Sequence, residues 1–118
     1  MTMERVVELE GRPLRLRLTG AAERALAGRD RPLTAVLELY FSCLIRKRVV
    51  FLEGETAGVE ASPGLWLDFR PVMTHACRVD EQAGAPPLTD FPLARRAAFT
   101  PRWARLDHDG AWRGEFGW

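Results

Sequence analysis

Several kinds of residue are scarce in this sequence, and it contains no long hydrophobic run. The chain has 118 residues but only two cysteines, too few for a disulfide framework, so we expect a reduced, cytoplasmic protein. Residues 1–17 carry charges throughout, unlike a secretory signal peptide. No segment approaches the roughly 20 apolar residues that a membrane-spanning helix needs. The sequence therefore predicts a soluble protein without a membrane partner.

An excess of charge of one sign is also absent. The 17 basic and 16 acidic residues leave a formal net charge of +1, so no overall field attracts the chain to nucleic acid or to a membrane surface. Asparagine is missing, and lysine, isoleucine and glutamine occur once each, as Lys47, Ile45 and Gln82. This bias against A/T-rich codons indicates a GC-rich, bacterial genome. It also explains the many arginines without selection for anion binding.

Size and hydrophobic content indicate one folded domain. A chain of 118 residues matches ordinary domain size, and 47% hydrophobic residues are typical of a packed globule. Such a chain buries about two-thirds of its unfolded surface, so it needs no disulfide or metal to fold. We therefore expect a single domain over residues 1–118 and no cofactor.

Two β-hairpins are predicted near the ends of the chain. From Arg5 to Leu18, apolar and charged residues alternate around Gly11, which puts the leucines on one face and the arginines on the other. Near the C-terminus, residues 102–106 and 111–116 flank an Asp-His-Asp-Gly turn. The carboxylates of this turn could begin a calcium loop, but the later acidic positions of such a loop are missing, so a hairpin turn is the better interpretation.

Two short helices are predicted elsewhere. An alanine-rich segment from Gly20 to Gly28 has Thr19 as its N-cap and ends at the glycine. A second helix running to Ala98 is predicted, with Thr89 or Asp90 as its N-cap.

Two long strands are predicted in the middle of the chain, over residues 35–52 and 65–79. No glycine or proline interrupts the first, which favours one continuous strand with a bulge near residues 46–48. The apolar stripe of residues 33–45 also fits a helix, and this alternative stays open. Because one loop joins the two strands, we expect them to pair antiparallel, with Pro71 at an edge or a bulge.

Together these elements predict an α+β fold. Its predominantly antiparallel β-sheet has five or six strands, and one or two short helices pack at the edge or face of the sheet. An all-β sandwich or a small barrel is the alternative.

One group of residues could bind a metal or act as a nucleophile and base. His75 and Cys77 occupy alternate positions of the second long strand, and Cys43 on the first would complete a set of three soft ligands if it lies opposite. Both strand positions lie on the apolar face, where cysteine and histidine are usually core residues, and no C-x-x-C spacing supports a metal. We therefore expect no metal site and no catalytic pair. The candidate residues for such a site are Cys43, His75 and Cys77.

Basic residues with aromatic neighbours form a second candidate site, for single-stranded nucleic acid. Its members are Arg46, Lys47, Arg48, Arg95, Arg96, Arg102 and Arg105, with Trp103 and Trp112 as stacking surfaces. Near-neutral net charge opposes this interpretation, because electrostatic attraction dominates such binding. Nucleic acid is therefore the less favoured partner.

Candidate ligand or partner residues lie in the tail and on the second long strand. Trp103, Trp112 and Trp118 are either core residues or contacts for a partner. Arg70 and Arg78 lie on the polar face of the strand, which either lines a ligand cavity or faces water.

The lack of a convincing catalytic set favours a non-enzymatic binding or interaction module. Two partner classes stay open: another protein, or a second copy of the chain bound through strand edges or the aromatic tail. The alternatives are a small metal- or thiol-dependent enzyme using His75, Cys77 and Cys43, and a nucleic-acid-binding protein.

Overall fold

The computed structural model describes residues 2–41, 45–74, 88–90 and 96–118, which are mostly in β-strands. The elements are β1 (Met3–Leu9), β2 (Arg12–Leu18), α1 (Gly20–Ala27), β3 (Leu33–Phe41), β4 (Ile45–Glu53), β5 (Val59–Ser62), β6 (Leu65–Thr74), β7 (Leu88–Asp90), α2 (Arg96–Phe99), β8 (Trp103–His108) and β9 (Trp112–Gly117). Within this part of the chain, no helix is long and apolar enough to cross a membrane.

The strands form two mixed sheets. The first has the order β1-β2-β8-β9, in which β2 and β8 are parallel and the other pairs antiparallel. The second has the order β4-β3-β6-β5, with β7 also paired to β6, and here β3 and β6 are parallel. The expectation of a strand-rich fold with short helices is correct. The expectation of one predominantly antiparallel sheet differs from this arrangement, and the described strands do not close into a barrel.

The predicted hairpins and the first helix are confirmed. In β2 the leucines point inward and are fully buried, whereas Arg15 and Arg17 point outward, as a period of two requires. The hydroxyl of Thr19 accepts the N–H of Ala22 at the start of α1, and Gly28 ends the helix. Local patterns alone therefore define these elements.

The first long strand is wrong as predicted, because β3 and β4 are two separate strands, Leu33–Phe41 and Ile45–Glu53. β3 and β4 pair antiparallel, with Phe41 opposite Ile45 and Leu33 opposite Glu53. The helical alternative for residues 33–45 is also wrong over the length of β3. No glycine or proline marks the reversal between the two strands, so the sequence fitted one continuous strand.

The predicted antiparallel pairing of the two long strands is wrong too, since β3 and β6 run parallel. The loop between β4 and β5 crosses the start of β3, where the buried hydroxyl of Thr34 donates to the Glu55 carbonyl at 2.6 Å and accepts the Ala57 N–H at 3.2 Å. The chain thereby reaches the edge of β3 opposite β4. After the turn between β5 and β6, β6 pairs with this edge and runs parallel to β3.

The second predicted strand is present as β6 over residues 65–74, whereas residues 75–79 lie outside the described residues. β6 is a central strand, but its side away from β3 pairs with β5 only as far as Leu67 and with β7 only from Val72 onward. Pro71 lies in the gap between these partners, which explains how a residue without an N–H occurs there. Thr89 and Asp90 belong to β7, residues 91–95 lie outside the described residues, and α2 covers the last part of the predicted helix, Arg96–Phe99.

One hydrophobic core joins the two sheets. Its largest almost fully buried side chains are Leu9, Leu14, Leu16, Leu18, Leu106 and Phe116 from the first sheet, and Leu33, Leu37, Leu39, Leu65, Leu67 and Phe69 from the second. Ala22 of α1 belongs to the same core. Burying each such side chain contributes about 1.5–3 kcal/mol, so the inward face of each sheet is committed to packing. On the outward faces, Thr34, Val36, Glu38 and Val72 of the second sheet are also buried, whereas Arg15 and Arg17 of the first sheet are exposed.

Candidate ligand-binding groove

A groove of about 660 Å³ lies on the outer face of the first sheet. We call it the outer groove, and it is lined by Glu4, Val6, Pro13, Arg15, Arg17, Arg102, Trp103, Ala104, Arg105 and Glu115. Its volume falls within the range of about 300–1,000 Å³ that is usual for small-molecule sites. The outer groove exists because the leucines of β2 face the core, which directs the arginines between them to the opposite face.

One row of side chains across the outer groove consists of two ion pairs. The strand registers place Glu4, Arg17, Arg105 and Glu115 side by side on β1, β2, β8 and β9. Arg17 Nη2 lies 3.1 Å from Glu4 Oε2, and Arg105 Nη1 lies 3.6 Å from Glu115 Oε1. Both arginines of this row therefore have a carboxylate from the neighbouring outer strand.

The next row contains an arginine between two exposed apolar side chains. Arg15 lies opposite Val6 on one side and Trp103 on the other, with exposed fractions of 69% for Val6 and 37% for Trp103. The backbone N–H of Arg15 donates to the carbonyl of Arg102 at 2.8 Å. Among the described residues, neither Arg15 nor Arg102 forms an ion pair with a carboxylate. Two cations without a counter-charge thus lie next to an exposed indole.

The indole of Trp103 is positioned by a glycine on the neighbouring strand. Gly117 lies opposite Trp103, and a β-carbon at Gly117 would be 2.8 Å from Cζ2 of the indole. Because glycine has no β-carbon, the ring can lie against the backbone of β9. The part of the ring that does not face Gly117 lines the outer groove.

A separate polar cluster lies at the end of β8. The carboxylate of Asp107 accepts the hydroxyl of Thr19 at 2.6 Å and the backbone N–H of His108 at 2.8 Å. The Thr19 hydroxyl, followed by the His108 N–H, holds the pKa of Asp107 below its ordinary value. The Asp109 N–H donates to the carbonyl of Ala111, which confirms the hairpin interpretation of this segment. The described residues contain no cluster of three or more metal-ligating side chains.

Two of the tail tryptophans pack within the protein. Trp112 stacks on Phe51 of β4 with the ring centroids 5.8 Å apart. Trp118 donates its indole N–H to the Phe99 carbonyl at 2.8 Å, and the Lys47 ammonium lies 5.3 Å from the centroid of its ring. These contacts attach the C-terminal strand to β4 and α2, although half of Trp118 is exposed.

The described members of the predicted basic cluster lie on different surfaces of the protein. On β4, Lys47 faces Trp118, whereas the Nε of Arg48 donates to the buried carboxylate of Glu38 on the other side of the strand. Arg70 lies opposite Glu38 in the register of β3 and β6, on the outer face of the second sheet. Arg102 and Arg105 belong instead to the outer groove on the first sheet.

Several candidate residues lie outside the described part of the chain. They are Cys43, His75, Cys77, Arg78 and Arg95, together with the side chain of Arg96. The expectation of no metal site and no catalytic pair at Cys43, His75 and Cys77 therefore stays a prediction.

Sequence reasoning missed that Arg15, Arg17 and Val6 belong to the same site as Trp103. Alternation indicated that both arginines point outward, and the tryptophan with its neighbouring arginines was a candidate. The parallel pairing of β2 with β8 joins the two groups, and no local pattern predicts that pairing.

Comparisons of the chain with protein-family models, with curated proteins and with solved structures found no match. The geometry of the outer groove is therefore the basis on which a function is inferred.

Proposed function

We propose that this protein is a non-enzymatic binding module and that the outer groove is its ligand site. One observation carries the proposal: Arg15 and Arg102 have no carboxylate partner among the described residues, and they lie beside the exposed indole of Trp103. A guanidinium is permanently charged and presents a fork of donors that fits carboxylate and phosphate groups. Tryptophan and arginine are also enriched among residues that dominate binding energies. The expected ligand is an anion with an apolar part.

The remaining charges of the outer groove favour a small ligand centred on Arg15. Glu4 and Glu115 neutralise Arg17 and Arg105, so the unneutralised positive charge is concentrated at Arg15 and Arg102. Both glutamates lie on the outer strands of the sheet and repel an anion that extends across it. An anionic group near Arg15, with an apolar part over Trp103 or Val6, avoids this repulsion.

Titration with anilinonaphthalene sulfonate, an aromatic anion whose fluorescence rises on binding, tests the proposal. We expect the wild-type protein to bind the dye and Arg15→Gln to weaken the affinity about tenfold, since a hydrogen bond to a charged group contributes about 1.5–3 kcal/mol. Trp103→Leu should weaken it by a similar factor, because the stacking surface is lost.

Two controls make this test specific. Arg113→Gln removes an exposed arginine from the same strand as Glu115, outside the outer groove, and should bind the dye as the wild type does. N-phenylnaphthylamine has the same rings without the sulfonate and should not distinguish Arg15→Gln from the wild type. Equal affinity of the dye for Arg15→Gln and the wild type, with both proteins folded, contradicts the proposal.

A further inference from the structure

We infer that the ligand of the outer groove is a nucleoside monophosphate, or the same phosphate and base at the end of a nucleic acid strand. This inference rests on the proposed function. It follows from three properties of the outer groove: the amount of unneutralised charge, the exposed ring surface, and the position of the acidic residues.

The unneutralised charge matches a phosphate monoester. Arg15 and Arg102 together supply two positive charges without a carboxylate partner among the described residues. A phosphate monoester carries about −1.5 to −2 charges near neutral pH and has three acceptor oxygens, so it can engage both guanidinium groups. A single carboxylate carries one negative charge and would leave part of this charge unneutralised.

The exposed ring matches a nucleobase. The Trp103 indole lies against Gly117, and the residue is 37% exposed. Nucleobases stack on aromatic side chains independently of base identity, because every base has a π-face. Val6, the most exposed large apolar residue of the described chain, lies across Arg15 from the indole and is available to contact the sugar.

The acidic residues limit the length of the ligand. Glu4 and Glu115 lie on the outer strands of the sheet, at the two ends of the row of ion pairs that neighbours the row of Arg15. A strand with several phosphates that crosses the sheet would bring some of them close to these carboxylates. Only one aromatic side chain, Trp103, lines the outer groove within the described residues, which provides stacking for one base. The occupant is therefore one nucleotide unit.

Calorimetric titration of the full chain with four probes tests the inference. The probes are adenosine monophosphate, adenosine, ribose phosphate and a deoxyadenylate oligomer. We expect adenosine monophosphate to bind at least about tenfold more tightly than adenosine, which lacks the phosphate that contacts the arginines. It should exceed ribose phosphate, which lacks the base that stacks on Trp103, by a similar factor. The oligomer should bind no more tightly per nucleotide than the monophosphate.

Variants assign each contact to a residue. Arg15→Gln and Arg102→Gln should each remove most of the preference for adenosine monophosphate over adenosine. Trp103→Leu should remove the preference over ribose phosphate, and Arg113→Gln should change neither. All four substituted residues are exposed, so we expect each variant to keep the fold, and thermal melting checks this.

The outcomes separate this inference from the proposed function. If anilinonaphthalene sulfonate binds in the outer groove but adenosine monophosphate binds no better than adenosine or ribose phosphate, the inference is overturned and the binding module stands. If neither the dye nor the nucleotide binds, both proposals fall. An oligomer that binds much more tightly per nucleotide than the monophosphate overturns the single-nucleotide ligand.

Discussion

The hydroxyl of Thr19 makes two contacts that join α1 to β8. It accepts the backbone N–H of Ala22 at 3.2 Å, which caps the helix, and it donates to the Asp107 carboxylate at 2.6 Å. A hydroxyl can do both because it has one hydrogen and two lone pairs. One side chain therefore connects the end of the first hairpin, the helix and the C-terminal hairpin.

Replacing Thr19 by alanine should lower the free energy of unfolding by about 1 kcal/mol, because an N-cap is lost. Thr19→Ser keeps the hydroxyl and should retain most of the stability. Urea unfolding of the wild type and both variants measures the difference. A serine variant as unstable as the alanine variant would show that the methyl packing of Thr19, and not its hydrogen bonds, is responsible.

The same variants should differ in their response to acid. Because the Thr19 hydroxyl, the largest cause, lowers the pKa of Asp107 in the folded protein, the ionised carboxylate stabilises the fold above its unfolded pKa of about 4. This contribution is lost as the pH falls through the lower folded pKa. The stability difference between wild type and Thr19→Ala should therefore be larger at about pH 6 than at about pH 2. An unchanged difference would contradict the role of the carboxylate.

At the scale of elements, Gly58 allows the crossing loop to meet β6. Its φ is +80°, and a β-carbon there would lie 1.9 Å from the carbonyl oxygen of Leu67. Gly64, in the turn between β5 and β6, has a similar φ of +82° but no atom within 4 Å of such a β-carbon. The two glycines thus share a backbone conformation and differ in the space around them.

Alanine at each glycine should separate strain from steric conflict. Gly64→Ala should cost about 1–2 kcal/mol, the usual penalty for a left-handed residue with a β-carbon. Gly58→Ala carries the same penalty and must also displace the backbone of β6, so it should cost at least about 2 kcal/mol more. Chemical denaturation of both variants checks this order, and equal losses would exclude the close approach at Gly58.

Elements with local signals could be predicted from the sequence. Alternation around Gly11 defined the first hairpin, and the cap at Thr19 with the stop at Gly28 defined α1. The reversal between β3 and β4 has no glycine or proline, so its residues read as one strand. Pairing is a property of two distant segments, which is why the parallel contact of β3 with β6 could not be predicted from either.

At the scale of the whole molecule, the same limit applies to the outer groove. The sequence indicated that Arg15 and Arg17 share an outward face, and that Trp103 is a candidate contact. Their proximity depends on the parallel pairing of β2 with β8, two strands from opposite ends of the chain. The outward direction of Arg15 and Arg17 was therefore readable from the sequence, whereas their position beside Trp103 was not.

The charges on two of the edge strands, β1 and β4, argue against a homodimer in which either strand pairs with its counterpart in a second copy. β1 is an edge strand of the first sheet, and antiparallel pairing with a second copy centred on Val6 would place Glu4 opposite Glu8 of the second copy, twice. Like charges directly opposite each other are destabilising. β4, an edge of the second sheet, carries Arg46, Lys47 and Arg48 directly after its first residue, and basic residues are a common protection of edges.

We therefore expect the protein to be a monomer in solution. Trp118, the other candidate for a dimer contact, is bound to Phe99 and lies under Lys47 of its own chain, which leaves only half of its surface for a partner. Light scattering should give the mass of one chain at concentrations of tens of micromolar. The double variant Glu4→Gln, Glu8→Gln removes the repulsion at β1 and should dimerise more readily than the wild type. A wild-type mass of two chains would show that another surface overcomes these charges, and the two edge strands would no longer explain the oligomeric state.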